Sequence, residues 1–294
     1  MKKGLRVMVL MGGKSPEHEI SLISGREVIK NLDKRKYQVS SVIIPKEGGQ
    51  FKLDPQKTDI VFIAMHGPFG EDGTVQGMLE TAGVKYTGSG VLASALGMDK
   101  IMFRKIMRAE KIPVPKSTTR FPCFVKPHNQ GSSVGASIAR NKKELDAAVK
   151  LARRYSDKVL VEEYLSGKEV TCAVLGNENP KALPVIEIVP LKGEFFDYES
   201  KYTESGAEEI VPARISKPLT KKVQEIAVKV YKAIGCRGFA RVDFILKDNK
   251  HPVVLEINTI PGLTPMSLVP KAAKAAGISY SQLLDRIIEY AIKK

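Results

Sequence analysis

Apolar residues in this chain come in two arrangements. Short, largely apolar runs at 5–10, 39–44 and 60–65 read as strands, the first of them a buried one. Between them the apolar positions return at helical spacing, as at Ile20, Ile23 and Val28, where Ser15 as N-cap and Pro16 at the first helical position open a helix. A helix from Thr74 and a short strand near 84–86 complete an α/β unit of about ninety residues. Gly88-Ser89-Gly90 marks a boundary. One helix is expected from Leu92 to about Ala109, ending before Pro113 and Pro115. Residues 122–125 read as a strand delivering Lys126, 142–155 as a charged helix, and 159–164 as a strand followed by another that carries Glu169. Helices over 219–234, 267–276 and 280–292 are expected around a hairpin at 238–262.

That hairpin organises the rest. In GFARVDFILKDNKHPVVLEINTIPG, Val242, Phe244 and Leu246 take one face of the first strand and leave Arg241 and Asp243 on the other. In the second strand Val253, Leu255 and Ile257 are the apolar face, opposite Glu256 and Asn258. A two-residue loop at Asn249-Lys250 sets Asp243 opposite Glu256 and Arg241 opposite Asn258. A slip of one residue would scatter the four polar groups over both faces. Two carboxylates and an amide oxygen are hard ligands that suit Mg²⁺ or Mn²⁺ better than zinc. A plain solvated hairpin alternates in the same way. The Pro261-Gly262 turn favours a site, because it lets backbone N–H groups approach a substrate.

Residues 191–209 break the regularity. The stretch is long, polar and studded with aromatics, so it reads as a lid rather than as simple disorder. With 294 residues, 43% hydrophobic and 27% charged, the chain has the makings of two or three packed lobes. No run approaches the ~20 apolar residues of a membrane span, and no signal peptide precedes the first strand. Three scattered cysteines, Cys123, Cys172 and Cys236, match no zinc spacing and fit a reducing cytosol. The net charge of +15 raises nucleic acid as a partner, but the cations are spread evenly and there is no Trp for a stacking platform. Solvated lysines around a site for an anionic small molecule are the preferred reading, with neither nucleic acid nor membrane as partner.

Local motifs are weaker singly. Gly13-Lys14-Ser15 imitates the end of a P-loop, yet Met8 stands where its first glycine belongs, and no G-x-G-x-x-G is present. Glu17 at a helix start could serve only the helix dipole. His66 lies after the strand 60–65, where open sheets bind ligands, although a turn histidine is the plainer alternative. The loop HNQGSSVG at 128–135 can wrap a phosphate with its N–H groups.

Together, GGKSPEHEIS, AMHGPFGEDGTVQG, YTGSGVLASALGMDK, VKPHNQGSSVG, DYESKY, GFARVDF and LEINTIPGLTPMSLVP resemble the D-alanine–D-alanine ligase family over nearly the whole chain. The resemblance implies an α/β protein, α+β in its ATP-binding lobes, with the ATP-grasp fold. An N-terminal open α/β lobe (1–90) would hold substrate, a small central lobe (91–166) would follow, and a C-terminal lobe (167–294) would carry lid and metal site. It implies ATP-dependent joining of two D-alanine molecules through an acyl phosphate, for peptidoglycan precursors, in a cytoplasmic homodimer.

By the family's pattern, Asp243, Glu256 and Asn258 would hold two Mg²⁺ or Mn²⁺, and Lys100, Lys126 and Lys201 would bind phosphate oxygens under the Ser132, Ser133 and Val134 loop. Glu162, Glu163 and Leu165 would line the adenine pocket, and Glu169 would take the ribose. Glu17 would bind the first D-alanine's ammonium, with His66 nearby. Arg241 and the Gly262 N–H would stabilise the oxyanion, and Ser267 with the Leu268 N–H would hold the second carboxylate. Tyr202, in a Glu17–Ser132–Tyr202 network, would bring down the lid. A relative making D-alanine–D-lactate or D-alanine–D-serine would keep the same ATP site, though Tyr202 favours the amine acceptor. A non-catalytic ATP-binding regulator is at odds with retention of the three metal ligands and Arg241. The short link from Pro115 to Lys126, Gln130 before the Gly-Ser-Ser, and Phe196 in the lid depart from the family's pattern without removing a reacting group.

Overall fold

In the computed structural model, which describes residues 4–49, 52–191 and 206–293, the strands gather into three sheets. The first is parallel, built from β1 (Leu5–Gly12), β2 (Tyr37–Ile44), β3 (Ile60–Ile63) and β4 (Lys85–Tyr86) in the order β2-β1-β3-β4. Helices α1 (His18–Asn31) and α2 (Thr74–Thr81) lie between its strands in the chain. Val7, Val9, Leu10 and every residue of β3 are wholly buried, which is why these segments read as largely apolar runs.

Helix α1 differs from the expected one. It starts at His18, because the Ser15 hydroxyl accepts from the Glu17 N–H at 3.1 Å and closes a short turn before the helix. Its buried face is Ser21, Ser24, Gly25 and Val28, and a Cβ at Gly25 would lie 2.6 Å from the Met11 sulfur. The small face lets α1 sit close on β1, and Ile23 is left 43% exposed. The single helix expected over 92–109 is two, α3 (Val91–Met98) and α4 (Lys100–Ala109). Asp99 between them is extended, and its carboxylate accepts from the Ile101 and Met102 N–H groups at 2.9 and 3.0 Å.

The second sheet, β6-β5-β7, is small and antiparallel: β5 (Cys123–Pro127), β6 (Ser137–Ala139) and β7 (Val159–Glu163), covered by α5 (Lys142–Ala152). The third contains β8 (Gly167–Leu175), β9 (Lys181–Ala182), β10 (Ile186–Pro190), β11 (Ala207–Ile210), β12 (Phe239–Lys247) and β13 (His251–Asn258). Its order is β11-β10-β8-β12-β13, with β9 on the end of β8. Helix α6 (Lys217–Ala233), capped by Ser216, buries Val223, Ala227, Val230 and Tyr231 against it. Strand β11 corrects the expected lid, since Glu208 and Glu209 pair with Val189 and Ile188 of β10. Lys201, Tyr202 and Phe196 lie outside the described residues.

Chain order and packing part company in two places. Ala93, Phe103, Met107 and Ile112 join the core beneath the third sheet. Helices α7 (Leu268–Ala275) and α8 (Tyr280–Ile292) return to the core of the first.

The β12–β13 hairpin pairs Asp243 with Glu256 and Arg241 with Asn258, as expected, but the two-residue Asn249-Lys250 loop expected to set that register is not what sets it. Its turn has three residues: Lys247 pairs with His251, and Asp248 and Asn249 adopt φ of 53° and 56°. That register runs up to Phe244 opposite Val254, where Leu255 bulges out and restores the pairing beyond it. The bulge also turns Leu255 off the apolar face, so Val254 and Ile257 pack in the core beside Phe244 instead.

Candidate active site

Two cavities meet above this hairpin. The larger, about 570 Å³, lies between the second and third sheets and is walled by Lys126, Ser133, Val134, Glu162, Glu163, Leu165 and Glu169, over Ile188, Ile245 and Leu255. The smaller, about 380 Å³, is walled by Glu17, His66, Ser132, Arg241, Asn258, Gly262, Ser267 and Leu268. Lys100, Glu169, Ile188, Asp243 and Glu256 border both. Every site residue expected from the sequence is therefore brought to one of the two, except Lys201 and Tyr202, which are not described.

At the shared border Lys100 begins α4 with its side chain 6% exposed. Its Nζ donates to the Gln130 carbonyl at 2.6 Å and lies 3.0 Å from Glu256 Oε2. Arg241 grips Asp243 with Nε and Nη2, both at 2.8 Å, and Thr171 Oγ1 donates to the same carboxylate at 2.5 Å. Asn258 Oδ1 accepts from the Ile260 N–H at 2.9 Å, which starts the turn toward Gly262. A Cβ at Gly262 would stand 2.7 Å from Ser267 Oγ, so a side chain there would push that hydroxyl off its bonds to Thr264. No group of three or more His, Cys, Asp or Glu side chains gathers as a metal site among the described residues. The set at hand is two carboxylates and one amide oxygen, chemistry that fits a hard divalent cation.

The Gly-Ser-Ser loop arches between the cavities. Ser132 and Ser133 hold φ of 49° and 58°, uncommon for residues with a side chain and typical of functional loops. Ser132 Oγ donates to Glu17 Oε1 at 2.6 Å. Glu17 thus stands at the N-cap position of α1 without capping it, its carboxylate engaged by the loop. His66 is buried, with Nδ1 donating to the Ile260 carbonyl at 3.1 Å and Nε2 2.8 Å from Ser24 Oγ. Burial works against a charged imidazole, but the Glu71 carboxylate at 3.7 Å, with Glu17 and the Ile260 carbonyl, outweighs it and raises the His66 pKa. Burial raises the Glu71 carboxyl as well.

Other residues at the site escape a sequence reading. Glu187, on β10, accepts from Lys168 Nζ at 2.9 Å and from Arg214 Nη2 at 3.0 Å beside the larger cavity. Burial alone would raise its carboxyl; the Arg214 and Lys168 bonds overcome this and hold it at about 2. A lone Glu in an apolar strand, VIEIV, was the available signal. Arg104 is buried on α4 against Glu162, and its signal was the four-residue spacing from Lys100. Lys271 Nζ pairs with Glu209 at 2.5 Å in the smaller cavity, a contact that links distant elements and leaves no local pattern.

Comparison with known proteins bears on the chain as a whole. The family model described as "D-ala D-ala ligase C-terminus" matches residues 92–289, and "D-ala D-ala ligase N-terminus" matches 6–57 and 48–89. The chain is 44% identical over 303 residues to a D-alanine–D-alanine ligase of Desulforudis audaxviator, covering 97% of this chain and 98% of that protein. Among solved structures it resembles the VanG D-Ala:D-Ser ligase of Enterococcus faecalis, with a TM-score of 0.87, 35% identity, and coverage of 98% of this chain and 100% of that one. It also resembles the Bacillus anthracis D-alanine–D-alanine ligase complexed with ATP, with a TM-score of 0.83, 37% identity, and coverage of 99% and 98%. Fold and sequence thus agree over the full length, and the chain belongs to the D-alanine–D-alanine ligase family, with its α/β, ATP-grasp architecture.

Proposed function

We propose that the protein joins two D-alanine molecules to D-alanyl-D-alanine at the expense of ATP, for peptidoglycan precursors. The observation that carries this is the common border of the cavities, where Lys100, Asp243 and Glu256 face both. A carboxylate is a poor acyl donor, so it must first be phosphorylated, and the phosphoryl group has to pass from one cavity to the other. The larger cavity takes ATP, with adenine near Glu162, Glu163 and Leu165 and ribose at Glu169. Lys100 and Lys126, joined by Lys201, hold phosphate oxygens beneath Ser132, Ser133 and Val134.

In the smaller cavity Glu17 receives the ammonium of the first D-alanine, with His66 behind it. Ser267 and the Leu268 N–H hold the carboxylate of the second, at the start of α7. The second amine attacks the acyl phosphate and phosphate leaves. Arg241 and the Gly262 N–H stabilise the oxyanion, and Tyr202 acts from the lid. Asp243, Glu256 and Asn258 are the residues that would hold two Mg²⁺ or Mn²⁺. Bound there, such ions would supply neutralisation of phosphate charge. The chain's own residues position the reactants and keep water from the acyl phosphate.

D-Serine as acceptor is the second reading, favoured by the likeness to the VanG ligase. The family also implies a cytoplasmic homodimer. Among the described residues no helix is long and apolar enough to cross a membrane. Incubation with ATP, Mg²⁺ and D-alanine, with D-serine and D-lactate in parallel, tests the reading. Equal release of phosphate and dipeptide with D-alanine alone is expected. ATP hydrolysis without any condensed product would refute it.

A further inference from the structure

The Gly-Ser-Ser loop joins β5 to β6 and borders both cavities. Residues 155–158, in the turn after α5, line neither cavity, yet both legs of the loop rest on them. On the incoming leg the His128 N–H donates to the Lys158 carbonyl at 3.2 Å, and His128 Nδ1 lies 2.5 Å from Ser156 Oγ. Two residues on, Gln130 Nε2 donates to the Tyr155 carbonyl at 3.0 Å. The outgoing leg passes against the Tyr155 ring. Gly135 there has φ of 72°, and a Cβ on it would stand 2.7 Å from Tyr155 Cδ2. Tyr155 is 42% exposed and no part of the second sheet's core, so what its ring covers is the backbone of the loop.

A loop of this kind needs outside support. Ser132 and Ser133 hold left-handed φ, a conformation that persists only where the surroundings over-determine it. Turn bonds from the Val134 N–H to the Gly131 carbonyl and from the Ala136 N–H to the Ser133 carbonyl, both 3.1 Å, shape the tip but do not fix how it stands over the cavities. Gln130 does more. The Tyr155 carbonyl can only accept, so the side chain must offer its NH₂ there, which neither a carboxylate nor a thioether could do. The Gln130 carbonyl meanwhile takes Lys100 Nζ at 2.6 Å. One residue thus ties the loop to the end of α5 through its side chain and to α4 through its backbone.

We propose that Gln130 and Tyr155 are positioning residues that hold the Gly-Ser-Ser loop over the nucleotide site before ATP arrives: the amide fixes the incoming leg and the ring the outgoing one. They act through the loop and not on a reacting atom. Without them the loop would spend much of its time away from the cavity, and its N–H groups would be lost to phosphate. The proposal rests on the larger cavity being the ATP site.

Hydrogen exchange of residues 131–136 in the free protein, with calorimetric titration by ATP and Mg²⁺, tests it on the intact chain. Q130M removes the donor without adding charge, and Y155A removes the ring but keeps the carbonyl. Each should speed exchange of the Val134 and Ala136 amides about threefold, and the two together about tenfold. Y155F, which keeps the ring, should match the parent. In Q130M/Y155A the fraction of loop in the binding shape falls, and ATP affinity should drop at least about threefold with it. Amides of β5 and β7 should exchange as in the parent. Loop exchange in the double variant within about twofold of the parent overturns the proposal, as does an equal effect of Y155F. Faster exchange spread equally over β5 and β7 overturns it too, since that is what a merely structural role would give. Faster loop exchange with unchanged ATP affinity shows that the hold does not serve the nucleotide and also overturns it. A parent protein that does not bind ATP overturns the reading of the cavity and the nucleotide part of this proposal; the exchange arm is read without ATP, so the two failures stay apart.

Discussion

Asp243 is preset before any ligand arrives, gripped by Arg241 on one side and by the Thr171 hydroxyl on the other. Glu256, its cross-strand partner, has Lys100 beside it at 3.0 Å. Glu256→Gln keeps the shape but not the charge, so the variant should melt like the parent while ligase turnover drops by at least about a hundredfold at saturating Mg²⁺. Turnover near the parent's would remove Glu256 from the metal set. Glu187 offers a test of stability instead. Its folded pKa of about 2 lies below the ordinary 4.5, so its stabilising effect is full above pH 4.5 and fades as the pH falls toward 2. Glu187→Gln should cost on the order of 2 kcal/mol in urea unfolding at pH 6 and clearly less at pH 3. An equal cost at both pH values would show that the Lys168 and Arg214 bonds do not depress this carboxyl.

The elements between α3 and β13 show how local rules can be right singly and still misplace a boundary. Asp99 ends α3 and starts α4 by capping two N–H groups, and so aims Lys100 at the border of the cavities. Asp99→Ala should destabilise the fold by about 1 kcal/mol and weaken nucleotide binding, while Asp99→Asn, which can still cap, should restore both. A loss of stability without any change in ATP affinity would separate the cap from the placement of Lys100.

That Asp was visible in the sequence, but the helical spacing on both sides of it outweighed one polar residue. The hairpin is the converse case. Alternation placed Arg241, Asp243, Glu256 and Asn258 on one face because period-two patterning reports faces directly. It could not report the turn, where a third loop residue shifts the register by one and the Leu255 bulge shifts it back. The Ser15-Pro16 start of α1 misled for a third reason. Gly12 and Gly13, with φ of 84° and 101°, bend the chain first, and the capping groups serve that bend.

Across the whole molecule, what could not be read from the sequence is what joins distant segments. His66 bonds to Ile260, Ser132 to Glu17, and α7 and α8 pack on the core of the first sheet. None of these leaves a local pattern, so the resemblance could name the site's residues one by one while the contacts that join them could not be read. The same view singles out the second sheet. Among the described residues its fully buried core is Cys123, Val125, Ala139, Ala148 and Ala152, none of them large, with Leu145, Val149, Val159 and Val161 half-buried against it. The core beneath the third sheet holds Phe103, Phe244, Tyr231 and Leu246 among others. Buried apolar area sets local stability at roughly 25 cal/mol per Å², so the small sheet should open far more readily than β8 and β12.

Glu162, Lys126 and Val134 on this weak sheet and its loop face Asp243, Ile245 and Leu255 on the strong one across the larger cavity. A ligand that bridges the two should therefore stabilise the weaker partner most, by mass action on its local opening. In hydrogen exchange of the free protein, the amides of β5 and β7 should exchange well ahead of those of β8 and β12. ATP with Mg²⁺ should slow β5 and β7 at least about tenfold at saturation and leave β8 and β12 nearly unchanged. Protection confined to the third sheet, or none at all, would mean that the nucleotide does not bind between the sheets.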